Sequence, residues 1–220
     1  MKPLSEWLTD TLGQIPKNAA LYEQALTHSS HSRITYERLE FLGDRVLGLV
    51  IADTLYQTYP QDEEGKLSHR LNTLVARAAC ADVGRAIGLA SRMRLGKQAL
   101  EDGAFDSQNV LGDVVEALIG ALFIDHGLEA ARAFILRHWD EMITGQISAP
   151  RHPKSELQEW AAANNRKSPH YEVLERSGPD HAPQFKIRVS VGSAGHAEAS
   201  AKSKQEAERL AAEALLRTLT

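Results

Sequence analysis

The 220-residue sequence has little cysteine, few aromatic residues and no long hydrophobic run. Its one cysteine, Cys80, excludes an internal disulfide and any paired-cysteine metal or redox motif, and its alanine-rich surroundings predict a packed, small apolar side chain. No stretch approaches the roughly 18 apolar residues of a transmembrane helix, so we expect no membrane span. No apolar run follows Met1, so we also expect no signal peptide and a cytoplasmic protein.

Positive charge is also in short supply. The 25 Lys and Arg residues face 29 Asp and Glu residues, a formal net charge of −4. Residues 150–220 hold 11 basic and 9 acidic side chains, a balance of +2, so the remainder holds 14 basic and 20 acidic side chains, a balance of −6. This distribution disfavours a uniformly basic nucleic-acid binder. It is compatible with metal chemistry in an acidic body and polyanion binding in a mildly basic C-terminal part.

Hydrophobic periodicity predicts helices through most of the first 145 residues. The predicted helices are Leu4–Leu12, a segment from Asn18 to Leu26, Glu37–Tyr59 ending before Pro60, Ser68–Ile87 ending at Gly88, Val110–Ile124 and Leu128–Ile143. We expect the side chain of Asn18 to cap the second helix. The stripe of the third helix that is predicted to pack into the core consists of Leu39, Leu42, Val46, Leu49 and Val50.

A second stripe on the third helix is acidic. Glu37, Glu40, Phe41 and Asp44 follow the spacing i, i+3, i+4, i+7 of one helical face. Like charges at this spacing oppose helix formation by roughly 0.2–0.5 kcal/mol per pair, and burial without a compensating cation costs several kcal/mol more. Considered alone, this stripe fits an acidic solvated surface as well as it fits a metal site.

The apolar helix predicted at 110–124 carries two carboxylates that favour the metal site. Its only charged residues, Asp113 and Glu116, share a helical face, and the segment contains no Lys or Arg to pair with them. Burying such a pair without a cation is too costly to occur without a function. With Glu40 and Asp44 the pair forms an all-oxygen set, which suits Mg²⁺ or Mn²⁺ rather than Zn²⁺. Such a site fits phosphodiester hydrolysis by metal-activated water.

Other catalytic sites fit the sequence less well. The motifs HExxH, GxSxG and the phosphate-binding GK[ST] are absent. His28 and His31 flank Ser29 and Ser30, an arrangement compatible with nucleophilic catalysis. Two histidines near a helix end are more commonly structural hydrogen-bonding groups, so we favour the metal site.

Two long motifs resemble those of the ribonuclease III family. Residues 37–52, ERLEFLGDRVLGLVIA, resemble the family signature, and residues 113–125, DVVEALIGALFID, resemble its second acidic helix. Shorter matches are Tyr22-x-x-Ala25-Leu26-Thr27-His28-Ser29 and Glu64-Gly65-x-Leu67-Ser68. The resemblance implies a homodimer that cleaves double-stranded RNA with Mg²⁺, or with Mn²⁺ as a substitute. It also implies 5′-phosphate and 3′-hydroxyl ends with short 3′ overhangs, produced in the processing of ribosomal, messenger and small RNAs.

The resemblance further implies roles for individual residues. Four carboxylates would be metal ligands: Glu40, Asp44, Asp113 and Glu116. Asp44 and Glu116 would be indispensable for catalysis, while Glu37 and Glu64 would be supporting acidic residues. Phe41 would contact the partner subunit, with ordinary core packing as the alternative. A two-fold dimer would place two sites where they can cut both strands of a duplex.

The C-terminal part resembles a double-stranded RNA-binding domain. Its predicted order is α-β-β-β-α, with a first helix capped by Ser155, strands near 171–174, 185–191 and 196–202, and a last helix over 204–219. The matching motifs are Pro153-Lys-Ser-x-Leu-Gln-Glu-Trp, Gly178-Pro-Asp-His and Ser203-Lys-x-x-Ala-Glu. The RNA contacts that this implies come from Ser155, Gln158, Glu159, His181, Lys202 and Lys204.

The last helix departs from the usual pattern of these domains. Gln205 stands where the family commonly has a second lysine, and Ala199 and Ala201 stand where it commonly has glycines. We therefore expect weaker RNA binding that still depends on salt.

We predict a multi-domain protein with an all-α endonuclease domain at 1–146, a flexible linker at 147–153 and a small α+β domain at 154–220. Two alternatives stay open: a non-catalytic dimeric double-stranded RNA-binding protein, and a metal-dependent phosphohydrolase for small molecules. The four carboxylates disfavour the first alternative, and the C-terminal domain disfavours the second.

Overall fold

The computed structural model describes residues 2–145, 153–179 and 183–219. Contacts divide the chain into two compact units, residues 1–150 and 151–220. The first unit is built of α-helices and the second has the order α-β-β-β-α, which confirms the predicted fold class. His181 and most of the predicted linker lie outside the described residues, while Pro153 is the first residue of a helix.

Helices α3 and α7 form the centre of the first unit. Over residues 2–145 the α-helices are α1 (Leu4–Leu12), α2 (Ala19–Ala25), α3 (Glu37–Thr58), α4 (Glu64–Leu74), α5 (Arg77–Ala86), α6 (Lys97–Glu101), α7 (Gln108–His126) and α8 (Leu128–Thr144), with 3-10 turns at Leu89–Ser91 and Ala104–Asp106. Helix α7 is buried over most of its length, as its apolar sequence predicts.

The prediction of one helix over 68–87 is wrong, because the chain breaks between α4 and α5. Ala76 is extended, with φ −63° and ψ 146°. The indole N–H of Trp139 donates a hydrogen bond of 2.8 Å to the carbonyl of Leu74, which a continuous helix would pair with an amide four residues later. Since α4 packs against α3 while α5 packs against α7, tertiary contacts override the local periodicity.

The core-facing stripe predicted for α3 is correct except at one position. Leu39, Val46 and Val50 are buried and Leu42 is partly buried, whereas Leu49 is 56% exposed. At 3.6 residues per turn, Leu49 lies near the side of α3 that carries Phe41 and Tyr56. Those two aromatic side chains are 68% and 73% exposed. Helix α3 therefore has an exposed face, carrying Phe41, Leu49 and Tyr56, that the described residues do not cover.

The start of helix α2 is held to α7 by the side chain of Asp125 rather than capped by its own N-cap residue. Asn18 occupies the N-cap position but makes no side-chain capping hydrogen bond, so its predicted role is wrong. Instead, the carboxylate of Asp125 accepts hydrogen bonds from the amides of Lys17 (2.9 Å) and Asn18 (3.1 Å) and from the hydroxyl of Tyr22 (3.0 Å). These bonds tie the start of α2 to the end of α7.

Two glycines let α3 and α7 cross in backbone contact. A Cβ added at Gly43 would lie 1.7 Å from the carbonyl oxygen of Glu116, and one at Gly120 would lie 2.2 Å from the carbonyl oxygen of Leu39. A side chain at either position would push the helices apart. The crossing therefore holds the acidic faces of α3 and α7 close together.

The second unit is a three-stranded antiparallel sheet with two helices. Its elements are α9 (Pro153–Ala163), β1 (His170–Ser177), β2 (Gln184–Ser190), β3 (His196–Ala201) and α10 (Lys204–Leu219), with the strands in sheet order β1-β2-β3. Leu157, Val189, Val191 and Leu215 are fully buried in its core. Because α9 begins at Pro153, Ser155 lies inside its first turn and is not the predicted N-cap.

Within the described residues, the helices of both units are too short or too polar to cross a lipid bilayer.

Candidate metal centre

Three carboxylates converge beside the crossing of α3 and α7. Glu40 comes from α3, and Asp113 and Glu116 come from successive turns of α7. One oxygen from each of the three lies within 4.8 Å of the other two. Glu116 is only 7% exposed, and the other two residues are partly buried. The helical spacing that predicted a shared face for Asp113 and Glu116 thus places them in one cluster.

The cluster resists carrying its full negative charge. Burial, followed by the charges of Asp44, Asp113 and Glu40, raises the pKa of Glu116 to about 7. Burial also raises the pKa of Asp113, and burial together with the charge of Asp113 raises that of Glu40. Carboxylates that repel one another in a partly dehydrated site are stabilised by a shared cation.

The donor set fits a divalent metal ion. Oxygen Oδ1 of Asp113 is buried and has no hydrogen-bond partner, which leaves an acceptor available to a ligand. All three carboxylates supply hard oxygen ligands, the type that Mg²⁺ and Mn²⁺ prefer. Among the described residues, the three carboxylates of this cluster lie close enough together to hold one metal ion.

Asp44, the fourth predicted ligand, is not one of the three clustered carboxylates. Its carboxylate forms an ion pair with Arg45, the next residue on α3, and its side chain is 36% exposed. It lies close enough for its charge to raise the pKa of Glu116 and of Glu40. The structure therefore brings three of the four predicted ligands together and places Asp44 beside them.

Three further residues contact the cluster, and none of them is among the predicted site residues. The hydroxyl of Tyr36 donates to Asp113 Oδ2 at 3.5 Å, and the thiol of Cys80 donates to Glu116 Oε1 at 3.8 Å. Arg77 Nε lies 3.7 Å from Asp113 Oδ1. Cys80 is buried, as predicted, but its thiol also serves as a donor. Cys80 and Arg77 reach the cluster from α5, whereas Tyr36 lies at the start of α3, four residues before Glu40.

The two supporting acidic residues lie apart from the cluster. Glu37 and Glu64 are both exposed, and the hydroxyl of Ser68 donates to Glu64 Oε1 at 2.9 Å. The charge of Glu37 still contributes to the raised pKa of Glu40. Glu64 also lines a groove between α3 and α4.

The serine and histidine motif at 28–31 is structural. His28 Nδ1 lies 2.8 Å from the hydroxyl of Ser30, and that hydroxyl accepts a hydrogen bond of 2.9 Å from the amide of Gly96. A Cβ at Gly96 would lie 2.4 Å from the carbonyl oxygen of Ser30, so the two segments are in backbone contact. This geometry agrees with the preference for hydrogen-bonding histidines over nucleophilic catalysis.

The predicted RNA contacts of the second unit are mostly exposed. Gln158, Glu159, Lys202 and Lys204 are exposed, while Ser155 is partly buried. Lys204 Nζ lies 3.9 Å from Glu208. At the start of α10, the hydroxyl of Ser203 accepts a hydrogen bond of 3.2 Å from the amide of Glu206 and so caps the helix.

Both units match known families. Residues 18–141 match the family model described as Ribonuclease-III-like, which covers more than half of the chain. The chain belongs to the ribonuclease III family. Residues 153–219 match the double-stranded RNA binding motif. Similar proteins include the ribonuclease 3 of Zymomonas mobilis, 57% identical over 96% of this chain and 85% of that protein, and the ribonuclease 3 of a Jannaschia species, 46% identical over 100% and 99%.

Solved structures support the same assignment. The nuclease domain of ribonuclease III from Campylobacter jejuni is 33% identical, with a TM-score of 0.61, over 62% of this chain and 96% of that domain. These comparisons confirm the predicted family and activity: the chain is a metal-dependent endoribonuclease specific for double-stranded RNA. The alternatives of a non-catalytic RNA binder and of a small-molecule phosphohydrolase are set aside.

Proposed function

We propose that Glu40, Asp113 and Glu116, with Asp44 beside them, hold Mg²⁺ and form the catalytic centre that cuts duplex RNA. The observation that carries this proposal is the convergence of three buried or partly buried carboxylates within 4.8 Å. When bound, the ion supplies an activated water and stabilises negative charge on the phosphate. Mn²⁺, which also prefers oxygen ligands, is the expected substitute.

The protein's own groups orient these carboxylates. The Tyr36 hydroxyl and the Cys80 thiol each donate to one carboxylate, to Asp113 and Glu116 respectively. Burial raises the pKa of both donors, so they stay protonated and keep their hydrogens at neutral pH. Since an oriented ligand loses less conformational freedom on binding, these donors pre-organise the site.

The reaction is hydrolysis of a phosphodiester. A water oxygen forms a bond to phosphorus, the bond from phosphorus to the 3′ oxygen breaks, and that oxygen takes up a proton. The products are a 5′-phosphate and a 3′-hydroxyl, with short 3′ overhangs if two sites cut opposite strands at staggered positions. Two such sites require two copies of the chain.

We infer a homodimer formed through the exposed face of α3. Phe41, Leu49 and Tyr56 are exposed on this face. A groove of about 460 Å³ lies beside it, lined by Ala52, Leu55, Tyr56, Asp62, Glu64, Leu67, Ser68 and Leu71. Phe41 precedes Ala52 and Tyr56 by 11 to 15 residues, a distance of about 16–22 Å along the helix.

A two-fold axis across α3 would therefore place Phe41 of each subunit at the groove of the other. In such a symmetric dimer the two Phe41–groove contacts are identical, because each subunit contributes one aromatic anchor and one groove. The similar nuclease domain from Campylobacter jejuni has a region involved in dimer formation, which supports this inference.

The second unit would bind the duplex by its shape. Domains of this kind contact phosphates and 2′-hydroxyls rather than base edges. The exposed side chains of Gln158 and Glu159 on α9 and of Lys202 and Lys204 before and on α10 are available for such contacts. Ser155 and His181 are also proposed as RNA contacts, on the basis of the family resemblance.

A cleavage assay on end-labelled RNA tests the proposal. The protein is incubated with a duplex of about 30 base pairs in Mg²⁺, in Mn²⁺ and in a chelator, with the separated single strands as a control substrate. We expect cleavage of the duplex alone and only with a divalent ion, and products sensitive to a nuclease that requires a 5′-phosphate. An intact duplex in Mg²⁺ and in Mn²⁺ would overturn the proposed function.

The variant Glu116→Gln separates binding from cleavage. It removes one charge from the cluster and leaves the second unit unchanged, so duplex binding in a mobility-shift assay should stay within about 3-fold of wild type. Cleavage should fall by more than about 100-fold, since even the loss of an outer partner of a metal ligand costs 10- to 100-fold. The matched control is Glu129→Gln on α8, which removes an exposed carboxylate away from the cluster and should cut normally.

A further inference from the structure

Among the described residues, an arginine forms an ion pair with the acidic cluster. Arg77, the first residue of α5, places Nε 3.7 Å from Asp113 Oδ1, and its positive charge acts on all three cluster carboxylates. Its side chain is 59% exposed, so the guanidinium lies between the buried carboxylates and solvent. Any duplex that reaches the cluster must approach from the solvent side.

The backbone of Arg77 is fixed while its side chain is held loosely. Gly112 of α7 lets the start of α5 approach, since a Cβ there would lie 3.2 Å from the Arg77 carbonyl oxygen. At 3.7 Å the contact with Asp113 is longer than a hydrogen bond. Arg45, by contrast, forms an ion pair with Asp44 and lies over the ring of Phe41. Arg77 is thus the cation that can turn from the cluster toward a substrate.

We propose that Arg77 binds a non-bridging oxygen of the phosphate that is cleaved, an inference that rests on the proposed function of the cluster. A divalent ion held by the carboxylates would offset the charge that attracts Arg77 to Asp113. A phosphate bound at the cluster would then lie beside Arg77, because Arg77 Nε is 3.7 Å from Asp113 Oδ1. The planar guanidinium can then donate two parallel N–H bonds to the phosphate.

This contact predicts a particular kinetic effect. Negative charge on the non-bridging oxygens and on the leaving oxygen develops in the transition state, so a cation aimed at them stabilises the transition state more than bound substrate. Loss of Arg77 should therefore lower kcat while KM changes little. If Arg77 only neutralised the empty cluster, its loss would instead leave both kcat at saturating Mg²⁺ and the salt dependence of duplex binding unchanged.

The test compares Arg77→Ala and Arg77→Lys with Arg85→Ala. Arg85 lies on the same helix and pairs with Asp82 and Asp106, so its loss removes the same charge away from the cluster. At saturating Mg²⁺ we expect kcat to fall about 100-fold in Arg77→Ala, with KM within about 3-fold. Arg77→Lys keeps the charge but lacks the planar guanidinium, so its kcat should lie between those of Arg77→Ala and wild type. Arg85→Ala should match wild type.

Two measurements that do not depend on activity complete the test. Mn²⁺ binding to the RNA-free protein should be as tight in Arg77→Ala as in wild type, or tighter, because a positive charge has been removed. On a duplex made non-cleavable by charged phosphonate linkages, and with Mg²⁺ present, Arg77→Ala should reduce the slope of log affinity against log salt by about 1, the value for one lost phosphate contact.

Unchanged kcat and salt slope in Arg77→Ala would overturn this inference while wild-type cleavage upheld the proposed function. Loss of Mn²⁺ binding together with loss of cleavage would overturn it as well, because Arg77 would then support the metal site. A wild-type protein that leaves the duplex intact would overturn the proposed function and this inference with it.

Discussion

Gly43 of α3 touches the backbone of α7 at Glu116, since a Cβ at Gly43 would lie 1.7 Å from the Glu116 carbonyl oxygen. This contact positions the most buried carboxylate of the acidic cluster against the helix that carries Glu40. The geometry of the site therefore depends on a residue that supplies no ligand atom.

Replacing Gly43 with alanine should force the two helices apart. Overpacking of this kind costs about 1–3 kcal/mol or more in unfolding free energy, although alanine favours a helix by about 1 kcal/mol over glycine. We expect Gly43→Ala to lower stability in urea unfolding and to weaken Mn²⁺ binding. Gly65→Ala on α4, where an added Cβ meets nothing within 4 Å, is the control and should be neutral or stabilising. Equal Mn²⁺ affinity in Gly43→Ala and wild type would contradict the role of this crossing.

The raised pKa of Glu116 predicts how stability depends on pH in the metal-free protein. This pKa is about 7 in the folded chain against a usual 4.5, so between these values the folded state holds a proton that the unfolded state has lost. The free energy of unfolding should therefore fall as pH rises from 5 to 8, by on the order of 2–3 kcal/mol from this group.

Glu116→Gln isolates this effect, because it removes the titrating group and keeps the shape. In chelator, the variant should match wild type near pH 5 and be more stable near pH 8. Urea unfolding at both pH values measures the difference. An identical pH dependence in the two proteins would show that Glu116 does not titrate in this window.

Phe41 should control dimer formation without affecting the fold. Because its side chain is 68% exposed, Phe41→Ala removes little from the core of its own subunit. A two-fold interface loses two anchors of about 2 kcal/mol each, so the dimer Kd should rise about 1000-fold. Sedimentation velocity measures this change. Ile15→Ala, at a residue that is 75% exposed and outside α3, should leave the dimer intact, and a dimeric Phe41→Ala would exclude the proposed face.

Gln205 should limit RNA affinity at the start of α10. Gln205→Lys adds a positive charge next to Lys204, so duplex binding should tighten and the slope of log affinity against log salt should steepen by about 1. The control Thr218→Lys adds the same charge to an exposed position at the other end of α10. An equal gain in both variants would indicate general charge attraction rather than a phosphate contact at Gln205.

Periodicity alone predicted much of the structure. Helices α1 and α10 begin and end where predicted, and the spacing of Asp113 and Glu116 identified two of the three clustered carboxylates. These predictions succeed because the strongest constraints are local: an apolar stripe must be buried, and carboxylates three residues apart share a face.

The features that were not predicted depend on contacts between distant segments. The break at Ala76 coincides with a hydrogen bond from Trp139, and Leu49 is exposed although its spacing resembles that of buried neighbours. Likewise, Arg77 reaches the cluster from α5. Helical spacing does not contain this information, because it depends on which helices pack together.

The location of the metal ion tests the central claim most directly. A crystal grown or soaked in Mn²⁺ gives an anomalous signal at the ion itself. We predict a peak bound by oxygens of Glu40, Asp113 and Glu116, and loss of that peak in Glu116→Gln. A Mn²⁺ peak elsewhere on the chain, with the three carboxylates free of metal at saturating Mn²⁺, would contradict the assignment of this cluster as the catalytic metal centre.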